Sequence, residues 1–283
     1  MTPDDIALPV AWGELAGLRV ARPGRPRVIA LHGWLDNAAS FLPLLPHLPD
    51  LDLLLLDLPG HGHSAHLPVG AEYGLTTHLY AVLDAADALG WESFTLLGHS
   101  MGAAIATLVA AAVPSRVERL ALIETLGPLA EPVETTAARL QQAVAVARAR
   151  PAGAALRVFA DLAVAVRARM QASQLDEANA RLLVERGTRP VEGGRVWRSD
   201  PRLTRPAASR LTESQVAALL SAITCPVRLL YADPAQPYFP EPVRQARLAA
   251  VRHAELSVVP GGHHLHMDQP AVVAACYRDF LAP

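Results

Sequence analysis

The chain has 283 residues, is 51% hydrophobic and carries a net charge of −2, and its 25 basic residues form no long run. That suits one large α/β domain with a sizeable core, and it excludes the electrostatic footprint of a nucleic-acid or anionic-membrane binder. The two cysteines, Cys225 and Cys276, stand in unrelated contexts, which argues against a disulfide scaffold or a zinc ribbon and fits a reducing compartment.

The start, Met1-Thr2-Pro3-Asp4-Asp5, has acids where a signal peptide needs bases, and no apolar segment reaches a membrane span. The expected location is the cytoplasm. Residues 7–21 read as a hairpin with Gly13 and Gly17 near its turn. Arg27 to Leu31 is a strand ending in His32-Gly33-Trp34-Leu35-Asp36-Asn37. A helical turn is expected around residues 39–47. Leu51 to Asp57 is an almost wholly apolar strand, as in a sheet covered on both faces. It runs into Leu58-Pro59-Gly60-His61-Gly62-His63-Ser64. Thr76 to Leu89 has helical periodicity and stops at Gly90.

Ser93 to Leu97 is the next strand, and Gly98-His99-Ser100-Met101-Gly102 follows it. The apolar run Ala103 to Ala112 then reads as a buried helix. Strand, G-x-S-x-G and helix in that order form the setting of a nucleophile elbow. The turn is tight, so glycines flank the serine and the serine oxygen is pushed out at the top of the sheet. The helix N-terminus beneath it favours developing negative charge. Val117 to Ile123 is a further strand, ending at Glu124.

From Thr125 to about Arg210 no strand of any strength is predicted. Residues 133–149 read as helix, Pro151 and Gly153 break it, and residues 154–171 resume it. Ser173 with Asp176 resembles a capping box for a third helix closed by Gly187. Thr212 with Gln215 is a second capping box, opening a short helix. Alternation then returns: a strand over Val227 to Tyr231, a helix over 241–252, a strand over Glu255 to Val259, and a final helix from about Gln269 to Leu281. Gly261-Gly262-His263-His264-Leu265-His266 lies between the last two. Alternating strands and helices imply a mostly parallel sheet, with Gly-, His- and Ser-bearing loops at its carboxyl edge.

Four stretches now point one way: His32 to Asn37, Asp57 to Gly62, Ser199-Asp200-Pro201-Arg202-Leu203 and Gly261 to His266. With the elbow, they resemble the α/β-hydrolase superfamily and within it the serine hydrolase-like proteins, over residues 7–283. The resemblance implies the α/β-hydrolase fold: a mostly parallel central sheet flanked by helices, formed by residues 1–124 and 211–283, with an inserted helical lid over 125–210. It also implies a Ser, acid, His order of catalytic residues. Ser100 is then the nucleophile. Of the 11 histidines, His253, His263, His264 and His266 come late enough. His263 is the preferred base, because its glycine-led loop is free to reach back over the sheet. Met101 and Trp34 N–H groups are the expected oxyanion donors.

The acid stays open between two residues. The superfamily's usual G-x-x-D turn after the penultimate strand has Ala232 and Ala235 at its Gly and Asp positions, and Asp233 falls two residues early. Some superfamily members, including a group of haloalkane dehalogenases, resemble an arrangement with Glu at the end of the preceding strand. That favours Glu124 over Asp233.

The activity expected is that of a carboxylesterase acting on a small-molecule ester-like substrate, without cofactor or metal, as a monomer or homodimer. C–C bond hydrolysis, lactonase or perhydrolase chemistry on the same triad, and non-catalytic ligand binding, are the alternatives. His61, His63 and His66 show a metal-lactonase-like spacing, but Ala65 stands where the Asp belongs.

Overall fold

The computed structural model describes residues 2–149 and 156–282. An eight-stranded sheet runs through it, ordered β1-β2-β4-β3-β5-β6-β9-β10. β1 (Asp4–Val10) and β2 (Gly13–Val20) form the antiparallel hairpin. Gly13 begins the return strand, whereas Gly17 lies within β2 and pairs with Ile6. The remaining strands run parallel to one another: β3 (Arg27–Leu31), β4 (Asp52–Leu56), β5 (Phe94–His99), β6 (Val117–Ile123), β9 (Val227–Asp233) and β10 (Ala254–Pro260).

The apolar runs of the central strands serve two cores at once. Ile29, Leu31, Leu54, Leu96 and Leu122 face one side, with α1 (Leu75–Ala88), α2 (Met101–Ala112) and α6 (Glu213–Ser221). Their neighbours Val28, Ala30, Leu55, Leu97 and Ile123 face the other side, against a 3-10 segment (Ala38–His47) and α9 (Pro270–Leu281). Side chains of a strand alternate between faces, so a strand covered on both sides has no polar positions left. The Tyr277 hydroxyl fixes α9 by donating to Leu122 O at 2.6 Å.

Between β6 and β9 lie α3 (Thr136–Ala149), α4 (Leu162–Ser173) and α5 (Glu177–Gly187). The predicted lack of strands fails here. β7 (Thr188–Val191) and β8 (Gly194–Trp197) form an antiparallel hairpin. The predicted helix over 154–171 begins later, at Leu162, where the Asp161 side chain accepts from Val164 N–H. Before it, Phe159 exchanges two backbone hydrogen bonds of 2.8 Å with Arg195 in β8, which holds that stretch extended. The break expected at Pro151 and Gly153 lies outside the described residues. The third helix is capped by Asp176, which accepts from Asn179 N–H, while Ser173 is the last residue of α4. The Thr212–Gln215 capping box forms as the spacing predicts. Phe159, Ala165, Val166, Leu175, Ala180, Leu183 and Val184 pack on one another and on Met267, giving the inserted segment its own small core.

Two elements complete the sheet edge: α7 (Glu241–Ala249) after β9, and a single turn, α8 (Leu265–Asp268), after β10. Among the described residues no helix is long and apolar enough to cross a membrane.

Candidate active site

Ser100 follows β5 directly and caps α2, with φ 50° and ψ −116°. That conformation is disfavoured for a residue with a Cβ and persists only where the surroundings enforce it. Here the Ser100 N–H donates to Ile123 O at 2.9 Å. The flanking glycines are sterically required. A Cβ on Gly98 would meet Ala103 Cα at 2.6 Å, and one on Gly102 would meet Leu31 O at 1.9 Å. The first turn of α2 is therefore pressed against the end of β3. The N–H groups of that first turn, Met101 among them, have no acceptor within the helix.

Glu124 follows β6 and is fully buried, with φ 69°. Its N–H donates to Leu230 O at 2.8 Å, which continues the β6–β9 ladder by one bond and turns the side chain across the sheet end. Oε1 accepts from Ala232 N–H at 2.5 Å. Oε2 lies 3.3 Å from His263 Nδ1. The Tyr238 hydroxyl is 3.2 Å from the same nitrogen, and burial and Glu124 push that phenol up to about 12. His263 sits in the loop after β10, and its carbonyl accepts from His99 Nε2 at 2.8 Å.

Asp233, the other candidate acid, is the exposed last residue of β9. Its carbonyl accepts from Gly261 N–H at 3.1 Å, which braces the His263 loop through backbone alone. Asp268 turns away and accepts from Asn179 Nδ2 at 3.3 Å.

The loop after β3 is held by buried polar contacts. His32 Nδ1–H donates to Gly33 O at 2.8 Å, and its Nε2 accepts from Leu58 N–H at 3.0 Å. Leu35, at φ 59°, donates its N–H to His61 Nε2 at 3.3 Å. Burial, with His32 and His78 nearby, holds His61 well below the usual imidazole range, so its ring stays neutral and free to accept. The Trp34 indole N–H donates to Leu203 O in the inserted segment at 3.0 Å.

Asp36 is buried, and three basic groups converge on it. Arg169 of α4 pairs with its Oδ1 and also donates to Leu35 O at 3.1 Å. His264 Nε2 lies 3.4 Å and His99 Nδ1 3.8 Å from its Oδ2. Burial alone would raise this carboxyl, but Arg169 and His264 outweigh it and hold it well below the usual range. His264 and His266 accordingly pack beside His99, with ring centroids 5.2 and 4.2 Å away, rather than out in solvent. A second clamp joins Arg186 of α5 to Asp57, at 2.9 Å from Nε to Oδ2.

His61, His63 and His66 part company: His61 is buried against Leu35, His63 is exposed, and His66 Nε2 lies 2.7 Å from Arg198 O. No group of three or more His, Cys, Asp or Glu gathers as a metal site among the described residues.

The sequence reading missed Tyr238, Arg244 behind Glu124, and the Asp36–Arg169 pair. Polar residues directly after a strand mark Asp36 as a candidate site residue; nothing in the pattern around Arg244 marks it.

Comparison with known proteins finds relatives along nearly the whole chain. A serine hydrolase-like protein of Danio rerio is 32% identical over 294 residues, 99% of this chain and 88% of that protein. The crystal structure of a hypothetical protein from Pseudomonas aeruginosa PAO1 superposes with a TM-score of 0.89 at 41% identity, covering 98% of both chains. The thioesterase domain from the curacin biosynthetic pathway gives a TM-score of 0.85 at 26% identity, over 97% of this chain and 99% of that one. The family model described as alpha/beta hydrolase fold matches residues 26–270, and with the relatives above it shows that the chain belongs to the α/β-hydrolase fold family.

Proposed function

We propose that the protein is a carboxylesterase that works through an acyl-enzyme on Ser100, with His263 as the base and Glu124 as the acid that orients it. The observation that carries this reading is the contact of His263 Nδ1 with the buried carboxylate of Glu124, 3.3 Å away, at the strand end beside the strained Ser100. A serine hydroxyl is a poor nucleophile until a base takes its proton, and the base must present the correct ring nitrogen. With Nδ1–H directed at Glu124, Nε2 is left to accept that proton. Ser100 Oγ attacks the acyl carbon, and His263 returns the proton to the departing alcohol. Water then hydrolyses the acyl-enzyme by the same route. The Met101 and Trp34 N–H groups hold the oxyanion, where such donors are worth about 10²–10³ in rate each.

The segment over 125–210 acts as the cap that selects the substrate, a small-molecule ester. Its ties to Trp34 and Asp36 reach the loop that carries the Trp34 donor, and its tie to Asp57 reaches the loop after β4. Thioesters are the second substrate class, favoured by the full-length likeness to the curacin thioesterase domain. The test is a panel of p-nitrophenyl esters and acyl thioesters, run with wild type and Ser100→Ala. Hydrolysis of short to medium acyl chains that disappears in Ser100→Ala supports the reading. Hydrolysis that persists in Ser100→Ala, or none on any acyl substrate, refutes it.

A further inference from the structure

Behind the Glu124 carboxylate, away from His263, lies a buried arginine that the mechanism above does not use. Arg244, on α7, is only 2% exposed. Its Nη1–H donates to Ala232 O at 2.9 Å, and its Nη2 lies 3.6 Å from Glu124 Oε1. The guanidinium carbon sits 4.2 Å from the Tyr231 ring centroid. Nε and Nη2 have no hydrogen-bond partner. Ala232 is thereby gripped on both sides, its carbonyl by Arg244 and its N–H by Glu124 Oε1. Oε1 is committed to that contact, and Oε2 is the oxygen left for His263.

Packing alone does not call for an arginine here. Burying a guanidinium with two unpartnered groups is expensive, and an apolar side chain would fill the space against Tyr231 and Phe239. Arg247, one turn on, shows what a structural arginine in this helix looks like. It pairs with Glu213 at 2.8 Å and donates to Leu126 O and Gly127 O at 2.9 and 3.2 Å. Arg244 instead places its charge beside a fully buried carboxylate.

We propose that Arg244 is a positioning residue for the Ser100–His263–Glu124 triad, supplying the counter-charge to Glu124 and fixing Oε1 so that Oε2 faces His263. This rests on the reading of Glu124 as the triad acid. With Arg244 present, His263 faces a carboxylate already balanced by a cation. Without it, the uncompensated negative charge favours the imidazolium form. The other groups facing His263 are Tyr238 after β9, His99 at the end of β5, His264 on its own loop and His266 on α8. Around the Glu124–Arg244 pair stand Tyr231 on β9, with Arg247 and Glu241 on α7.

The experiment is an NMR titration of the His263 imidazole in the full-length protein, its signal identified by its loss in His263→Gln. In Arg244→Met the midpoint should rise by about one pH unit, and Arg244→Lys should restore most of the wild-type value. The acidic limb of kcat/KM on a p-nitrophenyl ester should move the same way. A purely structural arginine would lower stability and leave the titration where it was. A folded Arg244→Met protein with an unchanged midpoint overturns the proposal. Should Arg244→Met fail to fold, the double variant Glu124→Gln/Arg244→Met decides. Recovery of folding supports the counter-charge role, because both members of the pair are then gone. Failure of the double variant as well overturns it. A midpoint that shifts in a protein with no Ser100-dependent hydrolysis upholds Arg244 and refutes the hydrolase reading alone.

Discussion

Ser100 and Glu124 leave neighbouring strands at the same level. Each directly follows one of the register partners His99 and Ile123, and each takes positive φ, 50° and 69°. Ser100 and Glu124 are thus set by one sheet edge, and His263 comes within 3.3 Å of Glu124 from the loop after β10. Glu124→Gln should cut kcat by about 10³–10⁴ with little change in KM, by analogy with loss of the orienting acid in serine proteases. Asp233→Asn, on an exposed side chain, should cost less than tenfold. Steady-state kinetics on one ester separates the two, and the reverse order would move the acid to Asp233.

The elbow depends on backbone contact that no side chain can share. Gly102→Ala would put a Cβ 1.9 Å from Leu31 O, so the helix and the strand must separate. Destabilisation of about 3 kcal/mol or more is expected, with loss of activity. Gly262→Ala, beside His263 but facing open space, should change either property little. Thermal melts and ester assays on the pair check the contrast.

Asp36 ties α4 to the loop after β3 and to His264. Breaking a buried ion pair by removing one partner costs about 3–5 kcal/mol. Asp36→Asn should approach that value and exceed Arg169→Met, because it also deprives His264. The double variant should be less destabilised than the sum, by about 1 kcal/mol or more. Strict additivity in urea unfolding would show that the two residues do not work as a pair.

Acid should weaken the fold through its buried histidines. Burial lowers His78 and His266 to about 3, from the usual imidazole value of 6.5. The unfolded chain takes up protons below pH 6.5 that the folded chain refuses. The stability these groups contribute is whole above pH 6.5 and falls by about 1.4 kcal/mol per pH unit per group until about pH 3. Tm should therefore drop between pH 7 and pH 5, before the carboxylates titrate. His266→Leu, at a ring whose two nitrogens have no hydrogen-bond partner, should flatten that drop. A slope equal to that of wild type would contradict it.

The sheet and its carboxyl edge were legible because each strand is a short apolar run closed by Gly, Pro or a polar cluster. β3 and β6 fall where the pattern sets them. Glu124 stood out in the sequence because the usual acid position holds Ala235, and the structure sets its Oε2 3.3 Å from His263 Nδ1. The inserted segment was not. β7 and β8 carry Pro190, Arg189 and Arg195 and face solvent at several positions, so they lack the alternation that marks a strand. Phe159 was absorbed into a helical period because its pairing with Arg195 is a contact across 36 residues. Arg244 defied the pattern for the opposite reason: a charged side chain reads as surface, and only the tertiary fold buries it against Glu124.

The most direct test of the Ser100 reading is labelling with a serine-directed fluorophosphonate, followed by intact mass and peptide mapping. The expected result is one adduct per chain, on Ser100, absent in Ser100→Ala and formed far more slowly in Glu124→Gln. An adduct on another residue, or undiminished labelling of Ser100→Ala, would contradict it.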